Sequence, residues 1–539
     1  MCLKVQPPWA MPAETAAVGK VILKEDSPYR LIGERLFDRY REDNYADLYS
    51  AEGKPGISPV ILAFVTVFQF MERLPDRQAA ESLRMRMDWK YALHLPLAFE
   101  GFDYRVLSEF RDRLLVHQAE GRVFEQLVQE FRPMGLIKER GKQRTDSIAM
   151  LMKVRHLSRL ELVVETLRLA VGAILKANRV WGEALIPPSW QERYGERFVL
   201  QRHTKEEWPE HDQHVGSDGE WLMARLAGES APTEIKSLPE VQVLRTVWAQ
   251  QFREAQGKII YQAGSRYDGH SQIQTPHNPE TRYSRKRYQE WYGGKVQVTE
   301  TDDEGYPHLI TDIAATCSSK TDYESLPEIQ ERLKERQCLP KEQYVDSGYM
   351  SGPNLADCLQ DGIDLSGLTA PVVSPQSKIP DGITTEHFDI DTERLQATCP
   401  AGHSVEPDFG WKGKIRFLFP KEVCAACQLR ARCCTGQGGR TICVGTTYPL
   451  LQQARNRQKT EAFKQDYHKH RSGVEGCVSA LARGNGMRTS RYIGNQKRHL
   501  QAVFCGTAAN IKRTARWLAG IRPKSYHQIW GLISSSLTG

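Results

Sequence analysis

The chain has 539 residues, 40% of them hydrophobic, with 73 Lys and Arg against 66 Asp and Glu and a formal net charge of +7. Such a length is too great for one hydrophobic core and predicts several packed units. The mild basic excess admits a nucleic-acid partner, since local potential governs those contacts, and no run reaches the roughly 18 apolar residues that a membrane helix needs. The opening MCLKVQPPWAMPAETAAVGK has no apolar stretch of signal-peptide length, so the expected location is the cytoplasm, with no membrane partner.

Residues 26 to about 135 read as helical. In GISPVILAFVTVFQFMERL, Ser58 and Pro59 supply an N-cap and a first-turn proline ahead of apolar residues at helical spacing. Further helices are expected at 76–88, 103–116 and 119–132. The resulting N-terminal domain, 1–135, is of a kind that binds DNA or that simply packs and dimerises. A short β-like run at 136–150, centred on Asp146 in RTDSIAMLMKV, leads into a helical insertion over 151–258. Residues 258–294 are polar, basic and aromatic and are expected to be loop. Strand signals follow in KVQVTET and HLITDIAAT, then a helix at 325–336, a strand ending in a turn at QYVDSGY, a helix at 353–361 and a short strand at DLSGL. This predicts an α/β core over 259–369. Residues 370–450 form a cysteine-rich insertion, two long helices at about 450–482 and 495–519 lie in the segment 451–520, and 521–539 is a tail.

Three carboxylates fit one kind of chemistry. Transfer at a phosphodiester requires neutralised charge on the attacking and leaving oxygens, which two divalent ions held by a few carboxylates provide. The ligands can lie far apart in sequence if one sits on a central strand, one at the end of a neighbouring strand and one on a crossing helix. Asp146, Asp346 and Glu475 have those placements. On a continuous helix, Arg471 and Glu475 would share a face and point at one phosphate. Around them Lys469, Arg483, Arg488, Arg491, Lys497, Arg498, Lys512 and Arg513 form a basic run almost without acids, a surface suited to phosphate contact.

Of the twelve cysteines, Cys399 in CPAGH and Cys424, Cys427, Cys433 and Cys434 in VCAACQLRARCC cluster near His403. In a reducing compartment this pattern points to metal ligation before disulfides. Cys399, Cys424, Cys427 and either Cys433 or Cys434 would hold one tetrahedral, structural Zn2+; the alternative is free thiols in an exposed loop. Between 266 and 295, Arg266, Arg282, Arg285, Lys286, Arg287 and Lys295 alternate with Tyr267, Tyr283, Tyr288, Trp291 and Tyr292. Interleaving of this kind suits phosphate contact and base stacking, although each aromatic ring could instead pack the sheet.

With TDS around Asp146, VDSGYMS around Asp346, and VEG followed by GMRTSRYIGNQKRH and TAANIKR after Glu475, the chain resembles the DDE transposases of bacterial insertion sequences. The likeness is greatest to the insertion-sequence group numbered eleven-eighty-two. It implies an α/β, RNase H-like catalytic domain, with a helical N-terminal domain, a helical insertion and a small zinc-bearing insertion. It also implies Mg2+-dependent cleavage at transposon ends, with Mn2+ able to substitute, then strand transfer into double-stranded target DNA by a homodimer at the bacterial nucleoid. Asp146, Asp346 and Glu475 would hold two ions and Arg471 the scissile phosphate. Related enzymes place a Tyr, Arg, Glu and Lys around the glutamate; Tyr467, Arg471 and Glu475 fit approximately, and Arg483 is nearest to the unfilled lysine position. A long insertion follows the first aspartate, so Asp268 and Asp302 remain rivals for its role. A nuclease of the same fold and a catalytically silent DNA-binding derivative are the alternative functions.

Overall fold

A computed structural model describes residues 2–5, 9–152, 157–255, 258–261, 271–286, 289–411 and 414–522. Pro59 opens the helix Pro59–Glu72, where its fixed φ suits the first turn; the Ser58 side chain makes no cap bond. Every residue from Pro59 to Met71 is buried, which leaves this helix no face for DNA. Helices Asp76–Met85, Arg105–Val116 and Arg122–Phe131 pack around it. Their apolar side chains join those of the central sheet and of the helix Asn495–Leu518 in one continuous core.

The strands, in chain order, are β1 (Lys142–Leu151), β2 (Phe252–Ala255), β3 (Lys258–Tyr261), β4 (Arg282–Lys286), β5 (Gln289–Thr301), β6 (Ile310–Cys317), β7 (Glu342–Val345) and β8 (Asp364–Gly367). A six-stranded mixed sheet runs β4-β5-β1-β7-β8, with β6 also on β5. Strand β5 pairs antiparallel with β1 along one edge and with β4 and then β6 along the other. Strands β1, β7 and β8 are parallel. Parallel neighbours need crossover connections. The helix Asp322–Glu335 links β6 to β7, and Gly352–Gln360 links β7 to β8.

Between β1 and β4 the chain builds a second core around Leu167, Trp190, Leu222 and Trp248. Its first long helix, Arg159–Ala177, begins with a capping box between Ser158 and Glu161, and β2 and β3 close it as a hairpin. The stretch expected to be loop at 258–294 is therefore corrected: it contains β3, β4 and the start of β5, because cross-strand pairing such as Tyr283↔Tyr292 orders residues that lack simple alternation.

After β8, the strands β9 (Asp389–Asp391), β10 (Gln396–Thr398) and β11 (Ser404–Val405) form one small sheet, and β12 (Pro407–Trp411), β13 (Lys414–Leu418) and β14 (Thr441–Val444) another. They share a third, small core. The single helix expected at 450–482 is instead three, Tyr448–Arg457, Glu461–Arg471 and Gly473–Gly484. Thr460 starts the second by accepting a bond from the Phe463 N–H at 3.3 Å.

Candidate active site

Parallel pairing of β1 with β7 runs from Lys142↔Glu342 to Arg144↔Tyr344. Two residues further along lie Asp146, within β1, and Asp346, the first residue past β7. Neighbouring strands lie roughly 4.8 Å apart, and alternation puts Arg144 and Asp146 on one face with Tyr344 and Asp346 beside them. The helices Glu461–Arg471 and Gly473–Gly484 cover that face. Arg144 donates to the His470 carbonyl at 3.1 Å, the His470 ring stacks on Tyr344 at 4.7 Å, and the Tyr467 hydroxyl donates to the Val345 carbonyl at 3.0 Å.

Arg471 reaches into the site and pairs with Asp146 at 2.8 Å. Burial works to lower its pKa, but Asp146 first, then Tyr467 and Asp346, outweigh burial and hold the guanidinium above the ordinary arginine value. Asp346 accepts a bond from the Gly348 N–H at 2.8 Å. A Cβ at Gly348 would stand 3.0 Å from Asp346 Oδ1 and 3.1 Å from Asp322 Oδ2, so glycine keeps the turn clear of both carboxylates. Asp322, which sequence reasoning missed, is held by Lys295 and Gln297, both at 3.2 Å. Burial, reinforced by Asp322, Asp146 and Asp346, pushes the Tyr349 phenol well above its usual range. The pocket thus concentrates acid around one arginine, and its half-buried, oxygen-only donors suit a hard divalent cation such as Mg2+.

Glu475 stands in the first turn of Gly473–Gly484 and is exposed. The assigned helices are parted at Ser472, but its φ of −60° and ψ of −30° stay helical, so the chain keeps a helical course from Arg471 to Glu475. Asp146, Asp346 and Glu475 do not form a group whose carboxylate oxygens all lie within 4.8 Å of one another. Of the rivals, Asp302 is locked in a buried network with Arg144 at 2.8 Å and His470 at 2.7 Å, a structural position. Asp268 lies outside the described residues.

The basic residues divide by burial. Arg498 is only 1% exposed, and its three guanidinium nitrogens have no hydrogen-bond partner among the described residues. Tyr467 is also buried. Lys295 is turned inward to Asp322 and to the Lys320 carbonyl at 3.1 Å, and Arg282 bonds the Pro279 and Thr281 carbonyls. Arg498 and Tyr467, expected to face DNA, are therefore corrected to internal positions, while Arg282 and Lys295 are half-buried and held by local bonds. Trp291 is half-buried. Arg285, paired with Glu290 across the β4–β5 hairpin at 3.7 Å, remains exposed, as do Arg483, Arg488, Arg491 and Lys497; Lys497 lies 3.1 Å from Asp112. Lys286 lies on β4, and Arg287 falls outside the described residues. A groove of about 910 Å3 is lined by Arg73, Arg197, His277, Arg488, Arg491 and Tyr492, among others. It lies at the far end of β1, where its Thr489 bridges to Leu151, five residues beyond Asp146. Arg73, Arg197 and His277 carried no motif that could have revealed them.

Cys399, Cys424, Cys427, Cys433 and Cys434 are free thiols that line a cavity of about 30 Å3 together with His403. Burial raises the Cys433 thiol; Arg440 opposes this, and Cys424, Cys434 and Cys399 add to it, so four sulfurs lie within electrostatic reach. Backbone N–H groups of Arg440 and Leu429 point at the sulfurs of Cys424 and Cys427, each at 3.4 Å. Cys433 packs against the small core, while Cys434 turns its S–H to the Gly438 carbonyl at 3.2 Å. Thiolates suit Zn2+ by their chemistry, but among the described residues no three of these sulfurs lie within 4.8 Å of one another, so an ion would have to draw them together.

Residues 398–515 match the family model of a transposase DDE domain, and residues 18–113 match that of a transposase domain, DUF772. Together the two matches support a DDE transposase, a protein that processes nucleic acid. No curated protein and no solved structure matches the chain. No helix among the described residues is long and apolar enough to cross a membrane.

Proposed function

We propose that the chain is a DNA transposase of the insertion-sequence group eleven-eighty-two that cuts transposon ends and joins them to target DNA. The observation that carries this reading is the pair Asp146, midway along β1, and Asp346, just past the end of the neighbouring β7, with Arg471 reaching in from a covering helix. The sheet order β6-β5-β1-β7-β8, with its antiparallel and parallel halves meeting at β1, supports an RNase H-like domain. Asp146 and Asp346 would hold Mg2+, which Mn2+ can replace, and Glu475 would complete the set. When bound, these ions supply charge neutralisation at the attacking and leaving oxygens.

The chain's own residues do the rest. Arg471 neutralises Asp146 and would move to the scissile phosphate when DNA enters. Tyr467, fixed to the Val345 carbonyl, keeps that helix against the end of β7. Arg488 and Arg491 of the groove at the end of β1, with Arg483, would contact backbone phosphates. Cys399, Cys424, Cys427 and Cys433 would bind the structural Zn2+. A homodimer on double-stranded DNA at the nucleoid would bring two ends together, since cutting and joining must be paired.

The exposed position of Glu475 favours one second reading, a transposase-derived protein that binds DNA without cutting it. Incubation of the protein with Mg2+ and a labelled duplex bearing the element's end, beside Asp346→Asn and Glu475→Gln, separates the two. The proposal expects cleavage by the parent alone. Binding without cleavage by all three would select the silent protein, and equal cleavage by all three would remove the assigned carboxylates.

A further inference from the structure

We infer that His203, Glu207 and His211, in the insertion between β1 and β4, form a binding site for a transition-metal dication of the Zn2+ class. His203 Nδ1 lies 3.3 Å from Glu207 Oε2 and 3.2 Å from His211 Nε2. Among the described residues this is the only set of three potential ligands whose donor atoms all fall within 4.8 Å of one another. Ligands held at about 2.0–2.1 Å around a tetrahedral ion stand roughly 3.3–3.4 Å apart, so two of the three separations already have the required size.

The imidazoles are fixed by more than each other. Phe198 stacks flat on His203, with ring centres 4.5 Å apart and 5° between planes, and meets His211 edge-on at 5.2 Å. The two imidazoles stand at 74° to each other. This frame directs one nitrogen of each ring to a common point, and the exposed Glu207 leaves the remaining coordination position open to water. Two imidazoles and a carboxylate select Zn2+ or its neighbours over Mg2+, which prefers an all-oxygen shell.

The position of the site gives it a purpose. From Gly195 to Glu207 the only regular element is the short turn Leu200–Arg202, whereas His211 belongs to the twenty-residue helix Trp208–Ala227. An ion shared by His203, Glu207 and His211 would clamp the irregular segment to that helix. Phe198 adjoins Arg197, which lines the groove with Arg488 and Arg491, so occupancy would also fix a groove arginine. That consequence rests on the groove being a DNA surface; the metal site itself does not.

The test uses full-length protein without a histidine tag, dialysed to equilibrium against Co2+. Wild type is expected to bind one more equivalent than His203→Gln/His211→Gln. The lost equivalent should carry no thiolate-to-metal charge-transfer band, which separates it from the cysteine site. Equal stoichiometry in the two proteins would overturn the inference. Should the double variant fail to fold by circular dichroism, Glu207→Gln decides: at least tenfold weaker Co2+ binding at the site without the thiolate band supports the site, and unchanged affinity overturns it. Because the readout is bound metal, the inference can stand or fall independently of DNA cleavage.

Discussion

The six-stranded sheet and the cysteine-rich unit after it are held together by different means. The sheet shares a core that reaches from Tyr29 to Ala515, and that core is large enough to enclose charge. Glu300 sits between Arg144 at 2.8 Å and Arg513 at 2.7 Å, and Asp312 between Arg332 at 2.7 Å and Arg336 at 2.6 Å. The cysteine-rich unit packs only a small cluster around Phe388, Phe417 and Phe419, beside its sulfurs. The contrast teaches that a broad core can enclose and orient charge by packing alone, whereas a small one has the most to gain from an added tie such as the proposed zinc.

The largest effect expected is on the small unit. If the unit binds zinc as proposed, Cys424→Ser/Cys427→Ser should abolish that binding, a loss on the order of 10 kcal/mol in isolated zinc units. Proteases should then cut within 383–448 while the sheet stays protected; an intact digestion pattern would mean that the small core suffices alone. In the sheet, Glu300→Gln leaves Arg144 and Arg513 facing an uncharged group and should cost about 3–5 kcal/mol in denaturant unfolding. A cost under about 1 kcal/mol would show the buried pairs to be dispensable.

The third effect depends on pH. Burial first, helped by Arg332, lowers the His499 pKa from 6.5 to about 4, and its Nδ1 accepts the Ala315 N–H at 3.2 Å. Between these values the unfolded chain takes up a proton that the folded chain does not. The stability linked to His499 is therefore complete above pH 6.5 and falls as pH drops toward 4, by on the order of 3 kcal/mol. Thermal melts from pH 7 to 4.5 should show the decline, and His499→Asn, which keeps an acceptor but cannot titrate there, should flatten it. The smallest effect is that of Tyr467→Phe, which deletes one buried hydroxyl bond to Val345 and should cost about 1 kcal/mol.

Much of the sheet was legible because its signals are local. The β-branched KVQVTET and HLITDIAAT fall in β5 and β6, QYV in β7, and the helices on either side of β7 lie within a few residues of their expected ends. What the sequence hid is set by distant contacts. The β4–β5 hairpin depends on cross-strand pairing rather than alternation, and the break at Thr460 interrupts a run whose composition stays helical. The aspartates could be singled out by their settings, Asp146 at the centre of a strand and Asp346 at the end of one, but their alignment is a matter of register. Arg498 and Lys295 looked like surface cations, since charge in a sequence does not reveal which side chains packing will bury. Asp322 meets the site, and Arg73 and Arg197 meet Arg488 and Arg491 in the groove, only through tertiary structure.

The most direct test of the account is a change of donor at Asp346. Asp346→Cys offers a thiolate that binds Mg2+ poorly and softer ions well. If Asp346 is a metal ligand, this variant should not cleave a transposon-end duplex in Mg2+ and should regain cleavage in Mn2+, while Asp346→Asn stays inactive in both. Cleavage by Asp346→Cys in Mg2+ at the parent's rate would contradict the assignment, as would failure of Mn2+ to restore any cleavage in a folded variant whose parent is active.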